Sequence, residues 1–179
     1  MKSSSHKYIG LFLVTQHFRN QAPIYTRAFM LGCVQPDKNP TTYLKGSFRF
    51  QWLRGHNYDN SYRYMRRLCR RIAKKKSLTV ADYYCLGKLM HYIADSFTYA
   101  HSRNFCMNLQ RHRSYEQRLD ICLQKLIHRV PLDKPGYDNA EDIIRKNHRL
   151  YSSIPHSIAN DVYFSIRTCH MVLLRLLSC

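Results

Sequence analysis

Within residues 86–116, LGKLMHYIADSFTYAHSRNFCMNLQRHRSYE, the side chains that bind metals recur at short intervals: His91, Asp95, His101, His112 and Glu116. Residues four apart on a helix share one face, a turn above each other. His91 with Asp95, and His112 with Glu116, therefore each present an imidazole and a carboxylate side by side. Zinc takes such nitrogen and oxygen ligands at about 2.0–2.2 Å. One His–carboxylate pair at this spacing is ordinary on a helix surface. Two pairs flanking a further His favour a metal, and one of them uses Glu116 from a chain whose only other Glu is Glu141.

Length and composition bound what these residues can belong to. A chain of 179 residues, 45% of them hydrophobic, predicts one domain over 1–179 with a buried core and argues against disorder. Lys and Arg number 29 against 11 Asp and Glu, a formal charge of +18. That balance points to an anionic partner, either a phospholipid membrane surface or nucleic acid, or to a merely solvated surface. The seven Cys are odd in number and form no CxxC pair, which speaks against a disulfide scaffold or a zinc finger and for reduced thiols in a cytoplasmic protein. The apolar run Ile9–Val14 is short for a signal peptide. No stretch reaches the roughly 18 apolar residues of a membrane span.

The elements that must position the candidate ligands are helices. Ser3, Ser4 and Ser5 are expected to cap a helix from about His6 to Arg19. Pro23 opens a second helix through about Leu31, with Gly32 as its stop. Residues 33–57 hold two Pro and two Gly and no helical period, so they are expected to form a long functional loop. That loop has Asp37 and His56 at its ends and an aromatic, basic middle (Tyr43, Phe48, Arg49, Phe50, Trp52, Arg54). Asn57, Asp59 or Asn60 caps a helix over 60–76, whose Tyr62, Met65, Leu68, Cys69 and Ile72 face inward and whose Arg63, Arg66, Arg67, Arg70, Arg71, Lys74, Lys75 and Lys76 face outward. Thr79 caps a central helix over 80–98, and helices follow over 110–129, 138–151 and 156–177. Nothing alternates with period two. The expected class is all-α, a single-domain helical bundle. His6 and His17 are eleven residues apart, roughly 16 Å along one helix, too far for one metal. His17, His128, His148, His156 and His170 have no partner at ligand spacing and are expected to be structural or exposed.

HYIADSFTYAH followed by HRSYE resembles the HxxxDxxxxxH…HxxxE pattern of the bacterial zinc-dependent phospholipases C. SSHKYI at 4–9, GCVQPD at 32–37 and GHNY at 55–58 resemble further pieces of the same family, in the same order. Ala100 stands where the family usually has Pro, a turn-shaping position that binds no metal. The resemblance implies an all-α fold with up to three zinc ions. Asp37, His56 and His91 would hold one ion, bridged by Asp95 to another, and His101, His112 and Glu116 would hold a second. His6 and Asp95 would hold a third, which the family completes with the amine and carbonyl of a processed first residue. Met1 stands five residues before His6, so the expectation is two zinc ions, or three with water completing the last.

Clustered zinc suits phosphodiester hydrolysis, because one ion acidifies a water while another stabilises phosphoryl charge. The expected function is a hydrolase of phospholipase C type, with metal-activated water attacking the phosphate of a phospholipid, Asp37 as base and Asp95 bridging. A zinc-dependent nuclease is the first alternative. The second is a non-catalytic basic domain in which zinc holds the fold and the surface binds anions, a case in which the metal's coordination sphere would be closed.

Overall fold

Five of the seven described helices begin where a side chain takes backbone N–H groups that a first turn leaves without partners. This computed structural model describes residues 1–38, 57–102, 105, 108–136 and 138–178. It contains α1 (Ser3–His17), α2 (Pro23–Lys38), α3 (Tyr58–Ala73), α4 (Val80–Ser96), α5 (Leu109–Leu126), α6 (Ala140–Ser153) and α7 (Ile158–Leu177), with 3-10 turns at Tyr99–His101 and Ile127–Arg129. No strand occurs among the described residues, and the all-α expectation holds. Asn57 caps α3 by accepting from the N–H of Asn60, and Thr79 and Asp82 form a reciprocal capping box on α4. Asn108, Asn139 and Ser157 do the same for α5, α6 and α7. None of the described helices is long and apolar enough to cross a membrane.

The core follows the spacing of apolar residues. Met65, Leu68, Cys69 and Ile72 of α3, Leu119 and Leu123 of α5, and Val162, Ile166, Cys169, Leu173 and Leu176 of α7 are all buried. They pack around α4, which touches α2, α3 and α7 and is buried on every side over its second half, from Leu89 to Ser96. A helix enclosed in this way cannot leave a charge such as Asp95 without a partner.

Two boundaries differ from expectation, and both bear on the site. Gly32 does not stop α2, and residues 33–38, expected as loop, continue the helix. Gly32 instead faces Gly87 of α4, and a Cβ on Gly32 would lie 3.0 Å from the Cα of Gly87 and overlap the carbonyl of Tyr84. Pro36 lies in the last turn of α2 and offers no N–H to the Gly32 carbonyl one turn back. The rest of the expected loop, residues 39–56 with His56 and the aromatic basic segment, lies outside the described residues. Likewise the serines do not cap α1. The helix starts at Ser3 with Lys2 at its cap position and no capping side chain, because the three hydroxyls are engaged with other helices.

Gly87→Ala would place a Cβ against the Phe29 carbonyl and 2.8 Å from the Cys33 nitrogen, pushing two backbones apart, and should cost about 3 kcal/mol. Gly10→Ala meets only the flexible end of Met30 and the thiol of Cys33 and should cost far less in the same urea titration. His148 stacks on Tyr58 with ring centroids 3.5 Å apart, and burial pushes its imidazole down to about 4. The unfolded chain therefore binds a proton that the folded one refuses, so stability should fall as pH drops from about 6.5 to 4. His148→Phe should flatten that fall in a Tm-versus-pH series.

Candidate metal centre

α4 supplies the middle of the site. His91 and Asp95, one turn apart, are both about 1% exposed. His91 Nδ1 lies 2.9 Å from the Cys33 carbonyl of α2. A carbonyl only accepts, so Nδ1 carries the hydrogen and the lone pair of Nε2 is turned toward the carboxylates. This is how a partner behind a ligand sets the tautomer of a metal-binding imidazole. His91 Nε2 lies 3.3 Å from Asp95 Oδ2 and 3.6 Å from Asp37 Oδ1. The continuation of α2 past Gly32 is what carries Asp37 there.

α1 adds His6, whose Nε2 is 3.2 Å from Asp95 Oδ1 and whose ring stacks on His91 at 3.8 Å. The expected serine caps are put to other uses. Ser3 Oγ donates to Asp37 Oδ2 at 2.8 Å. Ser5 and Ser4 donate to Asp120 of α5 at 2.6 and 3.2 Å. Because α1 begins at Ser3, the Met1 amine sits about one turn before His6. It donates to Asp95 Oδ1 at 2.7 Å, and lies 2.8 Å from His101 Nε2 and 3.3 Å from Glu116 Oε1. The sequence reading set this nitrogen aside, because an expected helix start near His6 leaves the course of the five residues before it open.

His101 rides on the 3-10 turn that follows α4. Its Nε2 is 3.5 Å from Glu116 Oε1, and its Nδ1 is 3.8 Å from Asp95 Oδ2. His112 Nε2 is 3.3 Å from Glu116 Oε1, the i,i+4 pair expected on α5. The candidate ligand atoms of His6, Asp37, His91 and Asp95 lie within 4.8 Å of one another, and so do those of His101, His112 and Glu116. Each of these two groups could hold a metal ion. Asp95 stands between them, one oxygen toward His6 and the other toward His91 and His101. The structure thus brings together seven of the eight expected ligands. The eighth, His56, lies outside the described residues.

The electrostatics match a ligand set. Burial, then His91, pushes His6 down to about 4, and burial, then the Met1 ammonium, lowers His101. Both therefore keep a free lone pair at neutral pH. Burial alone would raise Asp95, but the Met1 ammonium with His101, His6 and His91 outweighs it and holds the carboxyl well below its usual range. Glu116 is likewise lowered, by His101 and His112 against the effect of burial. Neutral imidazoles and ionised carboxylates are the forms that bind metal. His6 Nε2 and His101 Nδ1 are buried without a hydrogen bond, a costly state that a cation at the centre relieves. The residues present fit zinc.

The other histidines fall elsewhere. His148 stacks on Tyr58 and His156 on Tyr99, while His128 meets Phe12 edge-on. His170, expected to lack a partner, has one in His17, with Nδ1 and Nε2 3.0 Å apart. The two are 153 residues apart, a pairing that no local spacing reveals.

A family model described as zinc dependent phospholipase C matches residues 5–160. No curated protein and no solved structure matches the chain.

Ser5 is fully buried, so Asp120→Ala leaves its hydroxyl unsatisfied and should cost about 1–3 kcal/mol. The double variant Ser5→Ala with Asp120→Ala should recover part of that loss, as read from denaturant midpoints.

Proposed function

The chain belongs to the zinc-dependent phospholipase C family, and from that premise we propose that it is a phosphodiester hydrolase acting on phospholipid at the centre built around Asp95. The observation that carries the reading is the convergence of imidazole nitrogens and carboxylate oxygens from α1, α2, α4, α5 and the Tyr99–His101 turn in two groups on either side of the enclosed Asp95. Asp37, His91 and Asp95, with His56, would hold one zinc, and His101, His112 and Glu116 a second. His6 and Asp95 would hold a third, with the Met1 amine or water as further donor. When bound, zinc supplies an acidified water and charge stabilisation at the phosphoryl oxygens.

The chain's own residues do the rest. Asp37 is the partly exposed carboxylate of the first group, 15% exposed against 1% for Asp95. Asp37 is therefore the group placed to accept a proton from water at the open side, while Ser3 holds its second oxygen in place. Asp95, enclosed, keeps the two groups in register. The Cys33 carbonyl holds His91 in its ligating tautomer. Arg63, Arg66, Arg67, Lys74 and Lys76 on and just after α3 are exposed, and they suit the anionic surface on which such a substrate is presented.

Protein purified without added zinc should carry two or three zinc ions per chain, and Asp95→Ala should lose most of them. Phosphatidylcholine hydrolysis should fall by more than about 100-fold in that variant, since even partners behind the ligands cost 10–100-fold. A wild-type chain without zinc, or hydrolysis unchanged in Asp95→Ala, would overturn the reading. Single-stranded DNA assayed beside the lipid decides between phospholipase and nuclease.

A further inference from the structure

One buried carboxylate has no part in the centre just described. Asp161 of α7 is 0% exposed, and among the described residues no Lys, Arg or His forms an ion pair with it. A carboxylate taken out of water is costly unless hydrogen bonds replace the solvent. Burial pushes Asp161 up to about 6, with its hydrogen-bond donors opposing. Those donors are the backbone N–H of Tyr99, 2.8 Å from Oδ2, the hydroxyl of Tyr115, 2.9 Å from the same oxygen, and the hydroxyl of Tyr151, 2.8 Å from Oδ1. Burial, then Asp161 itself, raises both phenols. They stay protonated and donate.

Two of the three donors belong to ligand-bearing segments. Tyr99 opens the 3-10 turn that ends in His101, and its N–H is one of those a helical turn leaves without a partner. A turn of three residues has little of its own to fix its orientation. Tyr115 immediately precedes Glu116 on α5 and comes three residues after His112. A single oxygen, Asp161 Oδ2, therefore holds the turn that presents His101 and the helix that presents His112 and Glu116. Tyr151, on α6, is attached to no ligand.

We infer that Asp161 is a positioning residue for the His101, His112 and Glu116 group, fixing the turn after α4 against α5 so that the three side chains can share one ion. The inference rests on the zinc reading above. It concerns a residue just beyond the stretch matched by the family model, which ends at 160.

The test challenges zinc-loaded protein with a competing chelator and counts the zinc retained per chain. It compares wild type with Asp161→Asn, Tyr115→Phe and Tyr151→Phe, and repeats the comparison on cobalt-exchanged protein by visible absorption. Asp161→Asn and Tyr115→Phe should give up one ion at about 10–100-fold lower chelator concentration and keep the others. Their cobalt spectra should change. Tyr151→Phe removes an equivalent hydrogen bond from the same carboxylate, so it should lower Tm while retaining zinc and spectrum like wild type. If Asp161→Asn does not fold by circular dichroism, the comparison of Tyr115→Phe with Tyr151→Phe decides. Wild-type retention in folded Asp161→Asn, or equal zinc loss in the two tyrosine variants, would overturn the inference alone. A wild-type chain without zinc would overturn it together with the reading beneath it.

Discussion

The contact between Gly32 and Gly87 sets the geometry on which the centre depends. With no side chain on either glycine, α2 and α4 approach until backbone meets backbone. Gly87 is one turn before His91, and Cys33 and Asp37 follow Gly32. The close approach therefore delivers a carbonyl behind His91 and a carboxylate in front of it in one move. A larger separation would remove both the hydrogen bond that sets the tautomer and the carboxylate that faces the lone pair. The chemistry of the site is thus decided one turn away from it, by the absence of two methyl groups.

Around that contact the ligands are held with unequal firmness. His91 and Asp95 belong to a helix enclosed on every side, and His6 is locked against them by stacking and by the Ser5–Asp120 hydrogen bond. His101 hangs on a single 3-10 turn, and His112 is 33% exposed. His6, His91 and Asp95 of the first group are part of the core, with Asp37 at its open side. The second is assembled from the ends of α4 and α5 and depends on what ties those ends together.

Much of this was legible in the sequence wherever the relation is local. The i,i+4 pairs His91/Asp95 and His112/Glu116 were readable because helix pitch alone sets their alignment, and Thr79 as a cap and Asn57 as one of three candidate caps were readable because a cap acts within three residues. His6 and Asp37 entered only through resemblance, since nothing within their own helices marks them as ligands. The misreadings came where one local pattern has two uses. A glycine after an apolar run looks the same whether it ends a helix or admits another helix, and only Gly87, 55 residues on, decides. Serines at a helix start look like caps, and only the remote Asp120 and Asp37 show that they are straps. Asp161 sits in a helix whose visible pattern is apolar, and its donors come from three other segments.

The acidic residues are distributed in a way that matters beyond the centre. Of the 11 present, Asp37, Asp95 and Glu116 face the ligand cluster, Asp82 and Asp161 are buried, and Asp120 is occupied with the serines of α1. These six are taken up within the fold, and the formal charge of +18 leaves the outward surface cationic. Its field reaches about a Debye length into solution, roughly 8 Å at physiological salt. An anionic molecule approaching the chain is drawn in before any contact forms, so ionic strength governs how often encounters occur, separately from how well the centre works once it is reached.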